Sequence, residues 1–437
     1  MAQHEGQPGA TAVLEMDALT AQGSDRHAGS LLGLALIPMN TKMSRAKLEQ
    51  AAGLMEKHGI DCWMVQFSRE TGNRADPLHY LVGSTITWPS AFLLHRDGRT
   101  AAIVGSGDVG QVQGSGIWTD VRGYVASPRQ ELIKLLDEWR PEKVGVTWSE
   151  DDTTSDGITH GMYLMLSSLL EGTAYADRIA PAGALASEVR ARKLPDEVEA
   201  IHSAISATEQ LFKRIEGILR PGITERQLQE QVQHWVHEAG MDFSWQEDMN
   251  PIVDFGPLRA PMGHTIPGDT ALAPGHLIHV DMGLRRDGYA SDLQRTWYFL
   301  RDGEKEAPEV VRKAFEATRA ALDAGMAALR PGHAGHQVDA ASRATVIKLG
   351  FPEPQFAFGH PVGQVAHDGG GVLGPRWERY GKGPDIPVEP DQVFAVEMDL
   401  EVPGYGLIGL EEEALVSEDG ATYLSSPQRE LWLLPRR

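Results

Sequence analysis

Two pairs of acidic residues stand at matched distances from turn sequences. Asp281 and Asp292 are equidistant from the centre of the turn sequence at 285–288, Arg-Arg-Asp-Gly, and strand-like runs flank it on both sides. Glu397 and Glu411 are equidistant in the same way from a Pro-Gly-Tyr turn sequence. Partners in an antiparallel hairpin face each other with Cβ atoms roughly 5 Å apart. The spacing therefore predicts two hairpins, each with two carboxylates directly opposite one another.

Opposed carboxylates of this kind favour a metal site. Like charges directly opposite each other are destabilising, and a buried carboxylate without a partner is costly. Both runs are otherwise apolar, with Leu277, Ile278 and Val280 in the first of them. Carboxylate oxygens are hard ligands, and bridging carboxylates suit two divalent ions roughly 3.5–4 Å apart. The alternative is that one pair faces solvent and the other is coincidental.

A segment rich in glycine and histidine, residues 356–371, precedes the second hairpin. It carries His360 and His367. Imidazole beside carboxylates suits Mn, Zn, Co or Fe better than Ca or Mg. A single histidine in such a loop is more often structural, so the two histidines gain weight only together with the acidic pairs.

The neighbours of these residues follow from strand alternation. His279 shares a strand face with Asp281, where it either lines the site or packs in the core. In the acidic run 411–413, only Glu411 needs to lie inside the protein, since alternation turns Glu412 to the opposite face.

The elements that must position these residues fall into two parts of the chain. Ser44 is predicted to cap a helix that runs to Gly59, and strand-like and helical stretches alternate over residues 44–185. We therefore predict a flexible tail over residues 1–43, an α/β domain over residues 44–186 and a second domain over residues 187–437 that carries both acidic hairpins.

An internal repeat lies in the second part. The sequence Leu-Arg-Pro-Gly occurs at 219–222 and again 110 residues later at 329–332. Each copy is followed 18 residues later by a glycine, Gly240 or Gly350, suited to ending a helix. The repeat predicts a structural duplication with the site between the halves, and the alternative is two similar helix–turn–helix pieces that arose by coincidence.

The composition excludes several classes of protein. The 437 residues include 40 Lys and Arg against 61 Asp and Glu, a net charge of −21, which disfavours a nucleic-acid partner. A single cysteine, Cys62, excludes an intrachain disulfide and a cysteine-based metal site, and it fits a reducing, cytoplasmic setting. The apolar run 31–38 is too short to cross a membrane and lacks the basic start of a signal peptide.

The motifs resemble those of the creatinase, prolidase and methionine-aminopeptidase ("pita-bread") metallopeptidases, and within them the prolidase and aminopeptidase P branch. The resemblance covers residues 187–437 strongly and the region 44–185 more weakly. All five of the family's metal-ligand positions are present. The matched positions are, in chain order, His264 three residues before a proline, 281–283, 288–292, Arg295-Thr296, 359–363, His367, Glu397 and Glu411.

The resemblance implies an α/β plus α+β fold class, with a creatinase-like N-terminal α/β domain followed by a pita-bread domain. It implies hydrolysis of Xaa-Pro bonds in dipeptides or short peptides, with Xaa-Pro dipeptidase (prolidase) activity first and Xaa-Pro aminopeptidase activity second. It also implies a short proline-containing peptide as substrate, two divalent metal ions per chain (Mn first, with Co, Zn or Fe as alternatives) and a homodimer.

The resemblance also assigns metal ligands. Asp281 and Asp292 would hold one ion, and His360 and Glu397 would hold the other. Asp292 and Glu411 would bridge the two ions.

Three residues would take part in catalysis by the same resemblance. Glu397 would handle the proton of the attacking water. His264 and His367 would bind substrate and stabilise the developing oxyanion, an electrostatic role that commonly contributes a few kcal/mol.

Two departures from the family pattern leave alternatives open. Where the family has Glu-Pro-Gly, this chain has Glu397-Met398-Asp399, and where many proline-directed members carry a substrate-binding arginine it has Gly409. The alternatives are a hydrolase or lyase of the same fold that acts on a non-peptide small molecule, and a non-catalytic binding module. The complete ligand set argues against the binding module.

Overall fold

The computed structural model describes residues 40–73 and 77–435. Within this part of the chain, no helix is long and apolar enough to cross a membrane. The helices are α1 (Thr41–Met55), α2 (His79–Val82), α3 (Val109–Ser115), α4 (Arg129–Trp139), α5 (His160–Leu170), α6 (Gly183–Ala191), α7 (Pro195–Ile218), α8 (Glu225–Glu238), α9 (Glu309–Ala328) and α10 (Gly335–Lys348).

The strands form two large sheets and one small sheet. They are β1 (Cys62–Ser68), β2 (Ser90–His95), β3 (Thr100–Gly105), β4 (Asp120–Tyr124), β5 (Val144–Val146), β6 (Ile179–Pro181), β7 (Asp242–Phe243), β8 (Ile252–Phe255), β9 (Leu277–Met282), β10 (Leu284–Arg286), β11 (Tyr289–Ala290), β12 (Leu293–Phe299), β13 (Gly359–Pro361), β14 (Val393–Val402), β15 (Gly406–Ser417), β16 (Gly420–Tyr423) and β17 (Trp432–Leu434).

The first sheet lies between two layers of helices. Its strand order is β4-β3-β2-β1-β5-β6, with parallel and antiparallel neighbours. Helices α1 and α6 contribute apolar side chains such as Leu48 and Leu185 to the core on one face. Helices α4 and α5 contribute Leu135 and Leu166 to the core on the other face. Helices on both faces of a mixed sheet are the predicted α/β arrangement.

The second sheet holds both acidic hairpins. Its main strand order is β13-β14-β15-β12-β9-β8, with β16 added to β15 and β17 added to β12. Helices α7 and α8 pack in one apolar core, and α9 and α10 pack in another. Helix α8 begins at Glu225 and α10 begins at Gly335, 110 residues later, as the repeat predicts. Gly240 and Gly350 both follow their helices with positive φ, at 63° and 87°.

The predicted start of the ordered chain is partly wrong. Helix α1 begins at Thr41, and the Asn40 side chain accepts a hydrogen bond from the Met43 amide at its N-terminus. Ser44 lies inside the helix, where its hydroxyl bonds the carbonyl groups of Asn40 and Tyr80. Residues 1–39 of the predicted tail lie outside the described residues. The predicted division near residue 187 falls within α6, and the division into domains stays a prediction.

Candidate metal centre

The second hairpin has the predicted register. Strands β14 and β15 pair antiparallel, Glu397 lies opposite Glu411, and the pairing continues to Val402 opposite Gly406. Gly404 has φ of 82°, which a glycine adopts at little cost in the turn. Two carboxylates are therefore held face to face on one side of the sheet.

The predicted register of the first hairpin is wrong. Asp281 lies opposite Gln294, and Asp292 precedes strand β12 without a partner in the β9–β12 ladder. The reason is the turn, which consists of Asp287 and Gly288 alone, with φ of 52° and 85°. Asp-Gly suits a two-residue turn with two positive φ angles. This turn shifts the pairing by two residues relative to a turn centred on 285–288.

Three of the predicted ligands meet at the edge of this carboxylate face. Asp292, His360 and Glu411 each offer a ligand atom, and these atoms all lie within 4.8 Å of one another. His360 Nε2 is 3.7 Å from Asp292 Oδ2 and 3.6 Å from Glu411 Oε1. The Ala366 carbonyl lies 3.1 Å from His360 Nδ1 and can only accept, so Nδ1 carries a hydrogen. This contact leaves Nε2 to face the two carboxylates, the arrangement typical of a metal-binding histidine.

The other two predicted ligands lie next to this group. A row of four residues crosses the adjacent strands β9, β12, β15 and β14, and each residue lies opposite the next. The row consists of Asp281, Gln294, Glu411 and Glu397. Asp281 Oδ1 is buried and has no hydrogen-bond partner among the described residues. An orphaned buried carboxylate oxygen beside three clustered ligands fits a cation at this position.

The electrostatics of the row also fit a cation. Burial, reinforced by the charge of Glu411, raises the pKa of Asp281, Asp292 and Glu397 well above their ordinary values. Carboxylates in these surroundings either take up protons or bind a positive ion. An imidazole nitrogen with several carboxylate oxygens is a donor set suited to Mn, Co, Zn or Fe.

The two further predicted histidines lie beside His360. The His367 ring is 4.3 Å from the His360 ring, centre to centre, and the His264 ring is 6.3 Å from the His367 ring. The neighbouring His360 imidazole, with smaller contributions from desolvation and His264, lowers the pKa of His367 to about 3. His367 is therefore a neutral hydrogen-bonding group at neutral pH.

A buried polar network that the sequence analysis did not predict supports the row. His279 Nδ1 lies 3.0 Å from Asp254 Oδ2, and His279 Nε2 lies 2.9 Å from Gln294 Oε1. Burial opposes the charged form of His279, but the hydrogen bond and charge of Asp254 outweigh it and raise the pKa to about 9. Burial raises the pKa of Asp399, close by, to about 6. Strand alternation alone predicts that His279 shares a face with Asp281. The position of Gln294 follows only from the correct pairing of strands β9 and β12.

The expectation that only Glu411 is needed inside is wrong. Glu411, Glu412 and Glu413 are all buried. Glu412 faces the opposite side of the sheet, as alternation predicts, and pairs there with Arg295 and Arg319. Glu413 shares the face of Glu411 and accepts a hydrogen bond of 2.6 Å from the Asp292 amide. It therefore holds the backbone at Asp292 next to the cluster.

This geometry agrees with comparison to known proteins. A model of metallopeptidase family M24 matches residues 199–418, about half of the chain, and this stretch contains every residue of the cluster. The chain belongs to metallopeptidase family M24. The family membership confirms the resemblance on which the metal assignment rests.

Named relatives of this M24 chain are peptidases. It is 26% identical over 253 residues to the Xaa-Pro dipeptidase of Lactobacillus helveticus, covering 57% of this chain. That alignment spans 64% of the relative, a little under two thirds of its length. It is 28% identical over 267 residues to a probable dipeptidase of Mycobacterium tuberculosis, covering 60% of this chain and 66% of the relative.

Solved structures of the family share the fold. The Xaa-Pro dipeptidase from Bacillus anthracis has a TM-score of 0.69 at 20% identity and covers 90% of this chain and 100% of its own. The X-Pro aminopeptidase from Thermotoga maritima has a TM-score of 0.64 at 20% identity and covers 89% of this chain and 99% of its own. These likenesses confirm the predicted fold class, an α/β part followed by a pita-bread part.

Proposed function

We propose that this M24 chain is an exopeptidase that hydrolyses Xaa-Pro bonds. Dipeptidase activity is the leading assignment, and Xaa-Pro aminopeptidase activity is the second. The observation that carries the proposal is the meeting of Asp292, His360 and Glu411 beside His264 and His367. The Xaa-Pro preference is supported by relatives and neighbouring structures that are named Xaa-Pro peptidases.

The metal ligands in this proposal are Asp281, Asp292, His360, Glu397 and Glu411. They would hold two divalent ions, and Mn²⁺ is the leading choice of metal. Bound there, such ions polarise the scissile carbonyl and lower the pKa of a water molecule. The homodimer implied by the resemblance stays a prediction.

The chain's own residues then handle protons and charge. Burial and the charge of Glu411 raise the pKa of Glu397, so its carboxyl group is suited to taking a proton from water and giving it to the leaving nitrogen. An Xaa-Pro bond is a tertiary amide without an N–H, so its nitrogen must gain a proton to leave as an amine. Neutral His367, with His264 beside it, would bind the substrate and donate to the developing oxyanion.

One observation favours a second candidate, action on a non-peptide small molecule. Gly409 stands where many proline-directed members carry an arginine. A Cβ atom at Gly409 would lie 2.4 Å from Gln294 Oε1 and 2.5 Å from His279 Nε2. Because these side chains fill the space, strand β15 offers no cation to a substrate carboxylate at this position.

The deciding experiment is a pair of peptide assays on manganese-loaded protein with a chelated control. Proline release from Leu-Pro tests the dipeptidase, and leucine release from Leu-Pro-Gly tests the aminopeptidase. Metal-dependent cleavage of the dipeptide supports the first assignment, and cleavage of the tripeptide alone supports the second. If metal is bound and neither peptide is cut, the peptide assignment is wrong and the small-molecule candidate takes its place.

A further inference from the structure

Gln294 occupies the centre of the carboxylate row. It lies opposite Asp281 on one side and opposite Glu411 on the other, and Glu397 follows Glu411 on the next strand. The residue is 3% exposed. Cross-strand partners on one face lie within contact distance, so a single neutral amide is in reach of several acidic groups.

The amide nitrogen of Gln294 joins the two opposed glutamates. Nε2 donates hydrogen bonds of 3.0 Å to Glu397 Oε2 and 3.1 Å to Glu411 Oε2. Hydrogen bonds to ionised groups are stronger than those between neutral groups, and each one fixes the direction of a carboxylate. The two donors of one amide therefore orient two side chains that would otherwise repel each other.

The amide is itself held in one orientation. Glutamates that are ionised for metal binding only accept, so Nε2 must then face the glutamates and Oε1 must face His279. His279 Nε2 donates to that oxygen at 2.9 Å, and Asp254 holds the other ring nitrogen at 3.0 Å. Gly409 leaves the space that this chain of hydrogen bonds fills.

We propose that Gln294 is a positioning residue that orients Glu397 and Glu411 for metal binding, with His279 and Asp254 as its support. The inference rests on the metal site in the proposed function. Partners that orient metal ligands in this way typically change metal affinity or activity by roughly 10- to 100-fold when removed.

The test measures metal binding by the full-length chain. Calorimetric titration with Mn²⁺ gives the affinity, and the visible spectrum of the Co²⁺ form reports the geometry of the ligands. Gln294→Met keeps a similar side-chain length and removes both donors. Gln229→Met is the matched control, because the Gln229 amide is buried and donates two hydrogen bonds to the backbone carbonyls of Asp248 and Pro251 rather than to a carboxylate. We expect Mn²⁺ affinity to fall roughly 10- to 100-fold in Gln294→Met, with an altered Co²⁺ spectrum, and to stay unchanged in Gln229→Met.

A second variant protects the test against misfolding. Asp254→Asn weakens the far end of the network on strand β8 and leaves the Gln294 amide present, so we expect a smaller loss of affinity in the same direction. Thermal unfolding of the metal-free variants identifies any that do not fold.

The outcomes separate this inference from the proposed function. Wild-type metal affinity and spectrum in folded Gln294→Met would overturn the positioning role alone. A wild-type chain that binds no metal would overturn both proposals. Metal binding that depends on Gln294, without peptide cleavage, would support the positioning role and overturn the peptidase assignment.

Discussion

Three consecutive glutamates on strand β15 are equally buried but have opposite surroundings. Glu412 lies on the face away from the cluster, where burial raises its pKa and the charges of Arg295 and Arg319 oppose that rise. Its carboxylate is 3.1 Å from Arg295 Nη2 and 3.5 Å from Arg319 Nη1, and it accepts hydrogen bonds from the Ser425 hydroxyl and the Gln428 backbone N–H. Glu411 and Glu413 lie on the other face with Asp292, and the hydrogen bonds they accept come from an uncharged amide side chain and a backbone amide.

The difference separates a carboxylate whose counter-charge comes from two arginines from carboxylates that a bound ion would neutralise. Burial, together with the charge of Glu411, raises the pKa of Glu413 and of Asp292 well above their ordinary values. An acidic group beside two arginines already has its counter-charge and stabilises the structure. Asp292 and Glu411 on the other face lack an equivalent contact, and a bound metal ion would supply one.

The largest effect that separates the two faces is expected from His360→Ala. Removing the imidazole leaves Asp292 and Glu411 without their nitrogen partner, and we expect peptide cleavage to fall to the chelated background while the protein stays folded. Activity and metal content are measured together, with circular dichroism for the fold. Wild-type turnover in this variant would rule out the assigned metal centre.

Glu412→Gln should damage the fold rather than the chemistry. The change leaves Arg295 and Arg319 buried without their carboxylate, and breaking a buried ion pair typically costs about 3–5 kcal/mol. We expect a loss of this size in the free energy of unfolding by urea, with unchanged metal affinity in the folded protein. Glu413→Gln is the control, because its surroundings favour the neutral form and its oxygen can still accept from the Asp292 amide. Equal destabilisation by both changes would contradict the comparison.

The stability of the metal-free protein should fall as the pH rises, because the buried acidic groups around the cluster have raised pKa values. Asp281, Asp292, Glu397 and Glu413 have raised pKa values in the fold, so the folded state holds protons that the unfolded state releases. Their stabilising contribution is complete below the unfolded pKa of about 4 and is lost as the pH rises through the folded values.

We therefore expect the melting temperature of chelated protein to fall between about pH 5 and about pH 8, and added Mn²⁺ to raise it more at the higher pH. Each net proton contributes about 1.4 kcal/mol per pH unit to this trend. Melting curves with and without Mn²⁺ measure it. A metal effect that does not vary with pH would mean that these groups are already ionised without the ion.

Much of the site can be predicted from sequence where local geometry decides it. The Pro-Gly turn fixes Glu397 opposite Glu411, and the 110-residue repeat fixes the starts of α8 and α10. Family motifs select His264, His367 and the five predicted ligands, which the fold brings close together.

The remaining features of the site depend on contacts between residues that are distant in the sequence. The first hairpin turns at Asp287-Gly288, and this choice of turn alone decides that Gln294 lies opposite Asp281. Burial of Glu412 requires Arg319 from helix α9, which no local pattern links to strand β15.

The smallest effect is expected from Gly409→Ala, which tests whether the hydrogen-bond network of Gln294 and His279 orients the carboxylates of the row. The new methyl group would overlap Gln294 Oε1 at 2.4 Å and His279 Nε2 at 2.5 Å, so the amide must shift away from the glutamates. We expect Mn²⁺ affinity to fall by about tenfold or less, by calorimetric titration. Gly53→Ala is the control, since a Cβ atom there meets no atom within 4 Å. Unchanged affinity in Gly409→Ala would mean that the Gln294 amide tolerates displacement, and that bound ions, rather than this amide, orient Glu397 and Glu411.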